Sequence, residues 1–450
     1  MNILIYTLGC PKNFNDSQVA AGILEEAGHT VIMANDDISD KVDFDLESEE
    51  MQQIDAIMVN TCGFIRDAKT ESIEAIFAMS EYGKMLIVSG CLSQRYGEEL
   101  YKEMPEVDLF IGVNEYDRLP ALLEAYEGKR AMYVRPYTEE LESPSRKLAD
   151  EHYAATIKIS EGCNNACTFC AIPGIRGPYR SRPKEKILEE ARHLADEGVK
   201  EIILIAQDTT TYGIDLYGKL ALAELLRELC RIDGIEWIRI MYCYEDRITD
   251  ELIETIAQED KICKYLDIPI QHISDRILKA MRRRSDGAMI RERLAKIREG
   301  IPGVHIRTTL IVGFPGETEE DFEELLDFVE EQRFERLGAF MYSPEEDTPA
   351  AEMPDQIDED VKAERLDAVM RRQIEISLSR NEEKVGRVLD VIVEGEDEDE
   401  GCYIGRTQYD APGIDNNVIL RSSRELQPGD LVPVKITDAF DYDLVGELAE

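Results

Sequence analysis

No stretch of the chain approaches ~18 uninterrupted apolar residues, so no membrane-spanning helix is expected. The first residues, Met1-Asn-Ile-Leu-Ile-Tyr, lack both a basic segment and a long apolar run. They read as an opening strand, not a secretion signal. Basic residues are scarce, with 51 Lys and Arg against 94 Asp and Glu and a net charge of −43. Such a surface repels nucleic acid and attracts basic partners; the same charge also serves plain solubility. No repeat of fixed period occurs, and the acidic run 394–400 is the sole low-complexity tract.

What remains is globular. The chain has 450 residues, 43% of them hydrophobic, too many for one ordinary core, so two or three domains are expected. Ten cysteines without a secretion signal point to a reducing, cytoplasmic setting. There, grouped cysteines are metal ligands or catalytic groups more often than disulfides.

The expected fold class is α/β, with three parts. Residues 1–135 alternate short apolar runs (2–7, 54–60, 85–89, 107–111) with helical patterns (14–27, 69–82, 96–103, 116–126). That alternation predicts an open, mainly parallel α/β domain. A polar linker with Pro144 follows, over 138–150. From 150 to 382 the alternation resumes with strands at 154–160, 201–206, 237–241, 265–268, 305–312 and 338–342. Six strands with crossover helices suggest a partial β/α barrel, short of the usual eight. A charged helix over 358–383 closes it. Residues 383–450 carry five short strands separated by turns such as Pro428-Gly-Asp, which predicts a small all-β barrel resembling an OB-fold.

Two cysteine groups carry the chemistry. Cys163, Cys167 and Cys170 are spaced C-x3-C-x2-C directly after the first strand of the second domain, at the end where β/α barrels build active sites. Structural zinc would want a fourth Cys or His nearby, and none follows. Three thiolates on a 4Fe-4S cluster leave one iron open for a small ligand. Cys10, Cys62 and Cys91 are far apart in sequence, but each follows a predicted strand. The carboxyl ends of parallel strands share one crevice, so the three can converge, with Gly9, Gly63 and Gly90 leaving room beside them. The alternative for this trio is ordinary buried core cysteines. Cys230, Cys243, Cys263 and Cys402 share no such placement and are read as packing residues.

These groups, together with Leu8-Gly-Cys-Pro-Lys-Asn, Asn60-Thr-Cys-Gly-Phe, Ser89-Gly-Cys-Leu-Ser-Gln-Arg-Tyr and the small C-terminal barrel, resemble the methylthiotransferase family of radical-SAM enzymes over essentially the whole chain. Three stretches resemble the branch that modifies an aspartate of small-subunit ribosomal protein number twelve: Gln207-Asp-Thr-Thr-Thr-Tyr-Gly, Tyr265-Leu-Asp-Ile-Pro-Ile-Gln-His and Arg406-Thr-Gln-Tyr-Asp-Ala-Pro-Gly-Ile-Asp. The resemblance implies two 4Fe-4S clusters, one on each cysteine trio, S-adenosyl-L-methionine, an electron donor, and a C-terminal TRAM domain. It places Phe169, Gln207, Gly313, Pro315 and Gly316 along the adenosylmethionine site. It implies that one adenosylmethionine methylates a sulfur on the N-terminal cluster and a second is cleaved at the other, so that both clusters serve one pocket and the N-terminal crevice faces the barrel mouth. One departure is visible: Asn15 stands where an apolar residue is expected.

Charge bears on the substrate. Residues 384–450 hold 6 basic and 16 acidic residues, which disfavours tRNA, the substrate of the sister branch. It suits a basic ribosomal protein. Lys279 with Arg282-Arg-Arg could face a carboxylate substrate or cap a helix. The β-carbon of an aspartate offers no proton that a side-chain base removes at useful rates, so acid–base catalysis alone is the wrong tool. A non-catalytic iron–sulfur carrier is the rival reading; it would not need the Gly313–Gly316 loop. Tyr212, His272 and Tyr342 are candidates for orienting the substrate, and each is equally suited to being a wall residue.

Overall fold

The computed structural model describes residues 1–34, 49–137, 146–148, 153–397 and 400–449. Most of the expected linker and part of the acidic run 394–400 fall outside these. Among the described residues three large β structures follow one another, beside a two-stranded antiparallel ribbon of Ser160–Glu161 with Arg180–Ser181, and all of the strand pairs in the first two are parallel.

The first sheet has six strands. From edge to edge they are Thr30–Met33, Asn2–Thr7, Ala56–Thr61, Met85–Gly90, Leu109–Ile111 and Ala131–Tyr133. The three central strands are continuous apolar runs, as strands buried on both faces must be. Ile3, Ile5, Met58 and Ile87 face one core, while Leu4, Ile57, Val59 and Val88 face the other. The two outermost strands are too short and too exposed to carry the alternation that reveals a strand.

The second sheet runs Ala154–Lys158, Glu201–Ile205, Trp237–Ile240, Ile262–Asp267, His305–Val312, Arg336–Met341. It is the six-stranded partial barrel that the sequence suggests, packed inside helices such as Lys184–Asp196 and Glu319–Gln332. The second of these begins with a capping box, Thr318 and Asp321 satisfying each other's backbone N–H groups. The third structure is a closed five-stranded barrel over residues 388–448. Among the described residues no helix is long and apolar enough to cross a membrane.

The small barrel docks on the N-terminal ends of the large one through buried charge. Glu201 of the second strand receives both Arg239 and Arg406, and the Arg336 guanidinium binds Asp410 with Nε at 2.9 Å. Burial alone would raise the Asp410 carboxyl, but the Arg336 and Lys384 cations outweigh it and hold it at about 2. A carboxyl depressed in the fold contributes stability above its unfolded value, near 3.8, and loses it as pH falls through the folded value. The contribution is about 2 kcal/mol. Asp410→Asn should therefore lower the melting temperature at neutral pH and flatten its decline between about pH 4 and pH 2. Parallel melting curves for the two proteins across that window would refute the assignment.

Candidate functional site

The crevice of the first sheet is built at the carboxyl ends of its three central strands. Thr7 pairs with Asn60, and Thr61 with Gly90, so Cys62 and Cys91 leave adjacent strands side by side and Cys10 follows one loop residue later. Cys10 occupies the position before helix Pro11–Glu26, and Cys91 opens helix Cys91–Glu103. That helix is kinked at Tyr96 (φ −122°, ψ 23°), so Cys91 opens a short first segment and the expected helix follows the kink.

Asn13 ties the crevice together. Its amide nitrogen donates to the carbonyls of Leu8 and Thr61, both at 3.0 Å, and its side-chain oxygen lies 3.6 Å from the Cys91 sulfur. Asn60 donates back to the Asn13 carbonyl at 2.8 Å. The glycines are needed for close approach. A Cβ on Gly9 would lie 2.8 Å from Cys62 Cβ, and one on Gly90 would lie 2.3 Å from Asn60 Oδ1 and 2.4 Å from the Thr61 carbonyl. Gly90 also has φ +96°, a conformation costly for any side chain. Gly90→Ala should cost roughly 2–4 kcal/mol and displace Cys91, so that iron retained by the N-terminal site falls. Full iron loading together with an unchanged denaturation midpoint would count against this account.

The second trio sits in the loop that leaves Ser160–Glu161, at the mouth of the partial barrel. Gly162, with φ +75°, turns the chain against the Pro178 carbonyl, where a Cβ would come within 2.2 Å. The loop is held at several points. Asn165 donates to Asp208 at 2.9 Å, Thr168 binds the Met281 and Ala280 carbonyls, and Tyr244 OH stands 4.0 Å from the Cys167 sulfur. Asp208 is in turn saturated by Thr210, Thr211 and Arg247. The Gln207-Asp-Thr-Thr stretch thus braces the cysteine loop.

Both trios have one property in common. Burial pushes the Cys62 and Cys170 thiols up to about 12 and the Cys163 thiol up to about 11. Metals bind thiolates, so loading either site must displace protons. Among the described residues no group of His, Cys, Asp and Glu is drawn together tightly enough for a single metal ion. The thiols of each trio nevertheless influence one another electrostatically. Three thiols within electrostatic reach of one another are the donor set that a cluster, with one thiolate to each of three irons, would use.

The other expected residues fall as follows. Phe169 stacks edge-on against Phe314, which does the same to Tyr342. The Gln207 amide donates to Glu161 at 2.9 Å, and its oxygen is buried with no partner among the described residues, an acceptor left for a ligand's donor. Gly313 has φ +71°, but its N–H is taken by Glu317, and the space its missing side chain frees is filled by Lys362. Its close approach is thus to the closing helix Glu359–Glu382. Gly316 donates to the Asp355 carbonyl at 2.8 Å, and Pro315 lies between the two glycines. Tyr212 is buried with its hydroxyl on the Arg182 carbonyl, and His272 is buried 3.3 Å from Glu317. Arg282, with φ +55°, and Arg283 close the end of helix Asp275–Ala280, their N–H groups donating to the Lys279 and Leu278 carbonyls at 3.1 and 2.8 Å; with Arg284, Asn165, Cys167 and Tyr244 they also line a small pocket beside the cysteine loop. Cys243, Cys263 and Cys402 are buried and Cys230 partly so.

The sequence reading missed the charged seam between the two trios. Arg176, 2% exposed and six residues beyond Cys170, donates to Glu161 at 3.1 and 3.2 Å. Across the seam it reaches Asn13 at 2.8 Å, Asp16 at 3.0 Å and the Cys91 sulfur at 3.3 Å. Lys158 joins Asp16 and Glu161 at 2.5 and 2.7 Å. Burial alone would raise the Glu161 carboxyl, but Lys158 and Arg176 hold it well below the usual range. Asn15, odd as an expected apolar residue, donates to the carbonyl and hydroxyl of Thr156 on the first barrel strand. It is a docking residue.

Three family models match in order: an uncharacterized protein family, UPF0004, over residues 2–112, the Radical SAM superfamily over 157–329, and a TRAM domain over 385–449. The chain is similar to the ribosomal protein uS12 methylthiotransferase RimO of Desulforamulus reducens, at 48% identity over 100% of both chains. The chain belongs to the RimO family. A RimO of Lachnoclostridium phytofermentans is equally similar, at 48% over 99% of each chain. Among solved structures, the radical S-adenosylmethionine methyltransferase TsrM of Kitasatospora setae shares the fold at 13% identity, with TM-score 0.57 over 83% of this chain and 89% of that one. RimO membership accounts for both the α/β architecture and the terminal barrel.

Proposed function

We propose that this RimO-family chain transfers a methylthio group to the β-carbon of an aspartate in ribosomal protein uS12. It would do so with two 4Fe-4S clusters, S-adenosylmethionine and an external electron donor. The observation that carries the reading is the seam between the two cysteine trios, where Arg176 bonds to Glu161 just before one trio and to the Cys91 sulfur of the other. A reaction that needs two cofactor centres at one substrate needs such an arrangement.

Cys163, Cys167 and Cys170 would hold one cluster, and Cys10, Cys62 and Cys91 the other. When bound, the clusters and S-adenosylmethionine supply the one-electron chemistry and the sulfur that no side chain here offers. The chain's own residues orient and enclose. Asp208 and Asn165 fix the loop that carries Cys163. Phe169, Phe314 and Tyr342 form a dry wall beside it, which protects reactive species from water. Gln207 would offer its buried oxygen to a donor of the bound adenosylmethionine.

The net charge of −43 favours a basic protein over tRNA as the partner. The test is an anaerobic assay with reconstituted clusters, S-adenosylmethionine and reductant, offering uS12 and tRNA separately. Gain of one methylthio group on uS12 alone is the expected result. Modified adenosine alone would assign the chain to the tRNA branch, and no product on either would favour a non-catalytic iron–sulfur protein.

A further inference from the structure

The seam between the trios holds one cation too many. Lys12, the second residue of helix Pro11–Glu26, is 8% exposed. Among the described residues its ammonium group meets no carboxylate; it lies over the Tyr242 ring, 3.4 Å from the centroid. The neighbouring acids are already engaged. Asp16 and Glu161 are taken by Arg176 and Lys158. Asp267 is held by Arg307 at 3.0 Å and by the Tyr242 N–H at 3.0 Å.

Burial disfavours the ammonium and Cys10, two residues away, is the foremost group that favours it; a buried cation without a carboxylate partner is costly, so its position is informative. Lys12 stands two residues after Cys10 in one half of the seam. Tyr242 stands at the carboxyl end of strand Trp237–Ile240, at the barrel mouth in the other half. Tyr242 has φ +60°, a strained conformation for a bulky residue, and such strain is kept where the surroundings enforce it. The Thr209 N–H and hydroxyl both donate to the Tyr242 carbonyl, and the Tyr242 N–H donates to Asp267. Thr209 belongs to the Gln207-Asp-Thr-Thr stretch and Asp267 to Tyr265-Leu-Asp-Ile-Pro. Arg307 carries the chain of contacts on to Asp415 of the small barrel at 3.3 Å. Stretches from all three parts of the chain therefore fix the ring on which Lys12 rests.

We infer that Lys12 binds the side-chain carboxylate of the substrate aspartate, placing its β-carbon between the two cysteine trios. The inference rests on the protein-methylthiotransferase reading. The carboxylate is the only charge on the reacting side chain, and the adjacent carbon is the one modified. A lysine presents a point charge on a flexible stem, and the Tyr242 face keeps that charge in place until the carboxylate arrives.

The test uses the reconstituted holoenzyme and its Lys12→Met and Lys12→Arg variants. Each is offered uS12 and a uS12 carrying Asp→Asn at the modified position. Iron content, the electron paramagnetic resonance spectrum of the reduced clusters and S-adenosylmethionine affinity are measured alongside binding and product. Wild type should bind the aspartate protein on the order of 100-fold more tightly than the asparagine protein. Lys12→Met should bind both alike, at the weaker level, with iron content and S-adenosylmethionine affinity unchanged. Lys12→Arg should keep part of the discrimination. Undiminished discrimination in Lys12→Met overturns the inference. So does a variant that loses S-adenosylmethionine binding, or iron, without losing discrimination, since the cation would then serve a cofactor. If wild type modifies no uS12 at all, the functional reading fails first, and the inference falls with it.

Discussion

Replacing Cys163, Cys167 and Cys170 together with alanine should halve the iron of the reconstituted protein, from about eight atoms to about four per chain, and abolish reductive cleavage of S-adenosylmethionine. Replacing Cys10, Cys62 and Cys91 should also leave about four irons, but with a different result. Cleavage to 5′-deoxyadenosine should continue, while methylthio transfer to uS12 falls below detection. The asymmetry follows from placement. The 163–170 loop leaves the barrel mouth just after Glu161, which holds Gln207, and rests Phe169 on Phe314, where adenosylmethionine is expected. The other trio lies across the Arg176 seam on a separate sheet. Each loop is also held by contacts that do not involve the other trio, Thr168 on Met281 in one case and Asn13 on Leu8 and Thr61 in the other. Loss of one centre should therefore leave the opposite one loaded. Iron analysis, electron paramagnetic resonance and product chromatography decide the matter. Loss of all iron from either triple variant would show one shared centre, and continued transfer without the N-terminal trio would remove it from the chemistry.

The placement of Cys10, Cys62 and Cys91 at one sheet edge could be read from the sequence because strand periodicity and parallel topology act locally. A cysteine that follows a buried apolar run must lie at the strand's carboxyl end, and a parallel sheet gathers those ends on one edge. Cys62 and Cys91 needed no knowledge of distant packing for that. The small barrel was legible for a similar reason, since its turns are marked by Pro428 and Gly429. Strands Thr30–Met33 and Ala131–Tyr133 escaped notice because edge strands of four and three residues are too short to show a period. The seam was illegible on different grounds. Asn15 and Thr156 are separated by 141 residues and Arg176 and Asn13 by 163, and no local pattern marks a polar residue that will be satisfied only across a domain contact. Asn15 therefore looked like a defect in an apolar face. Gly313 misled in the opposite direction, because a glycine announces close approach without saying to what. Here the neighbour is the Lys362 stem.

Arg176→Met should lower stability by roughly 3–5 kcal/mol, the largest single-residue effect expected outside the core. The substitution keeps much of the apolar volume and removes the charge. It leaves Asp16 and Glu161 buried with Lys158 alone to balance them, and it deprives Asn13 and the Cys91 sulfur of a donor. Breaking one partner of a buried network costs more than the network contributes when whole, because the remaining charge is stranded. The damage should be local before it is global. Amide exchange should quicken first in helix Pro11–Glu26 and at Ser160–Glu161, two of the segments that the guanidinium joins, while strands such as Ile262–Asp267 keep their protection. Arg176→Lys separates charge from geometry. It restores a cation but not the fork that reaches Glu161 with one nitrogen and Asn13, Asp16 and Cys91 with the other. About half the lost stability should return, with exchange in helix Pro11–Glu26 still faster than in the wild type. Wild-type stability and exchange in Arg176→Met would mean that the seam is held by Asn15, Lys158 and the Glu345 ion pairs with Lys69 and Arg95, and that the guanidinium beside Cys91 serves the chemistry and not the docking.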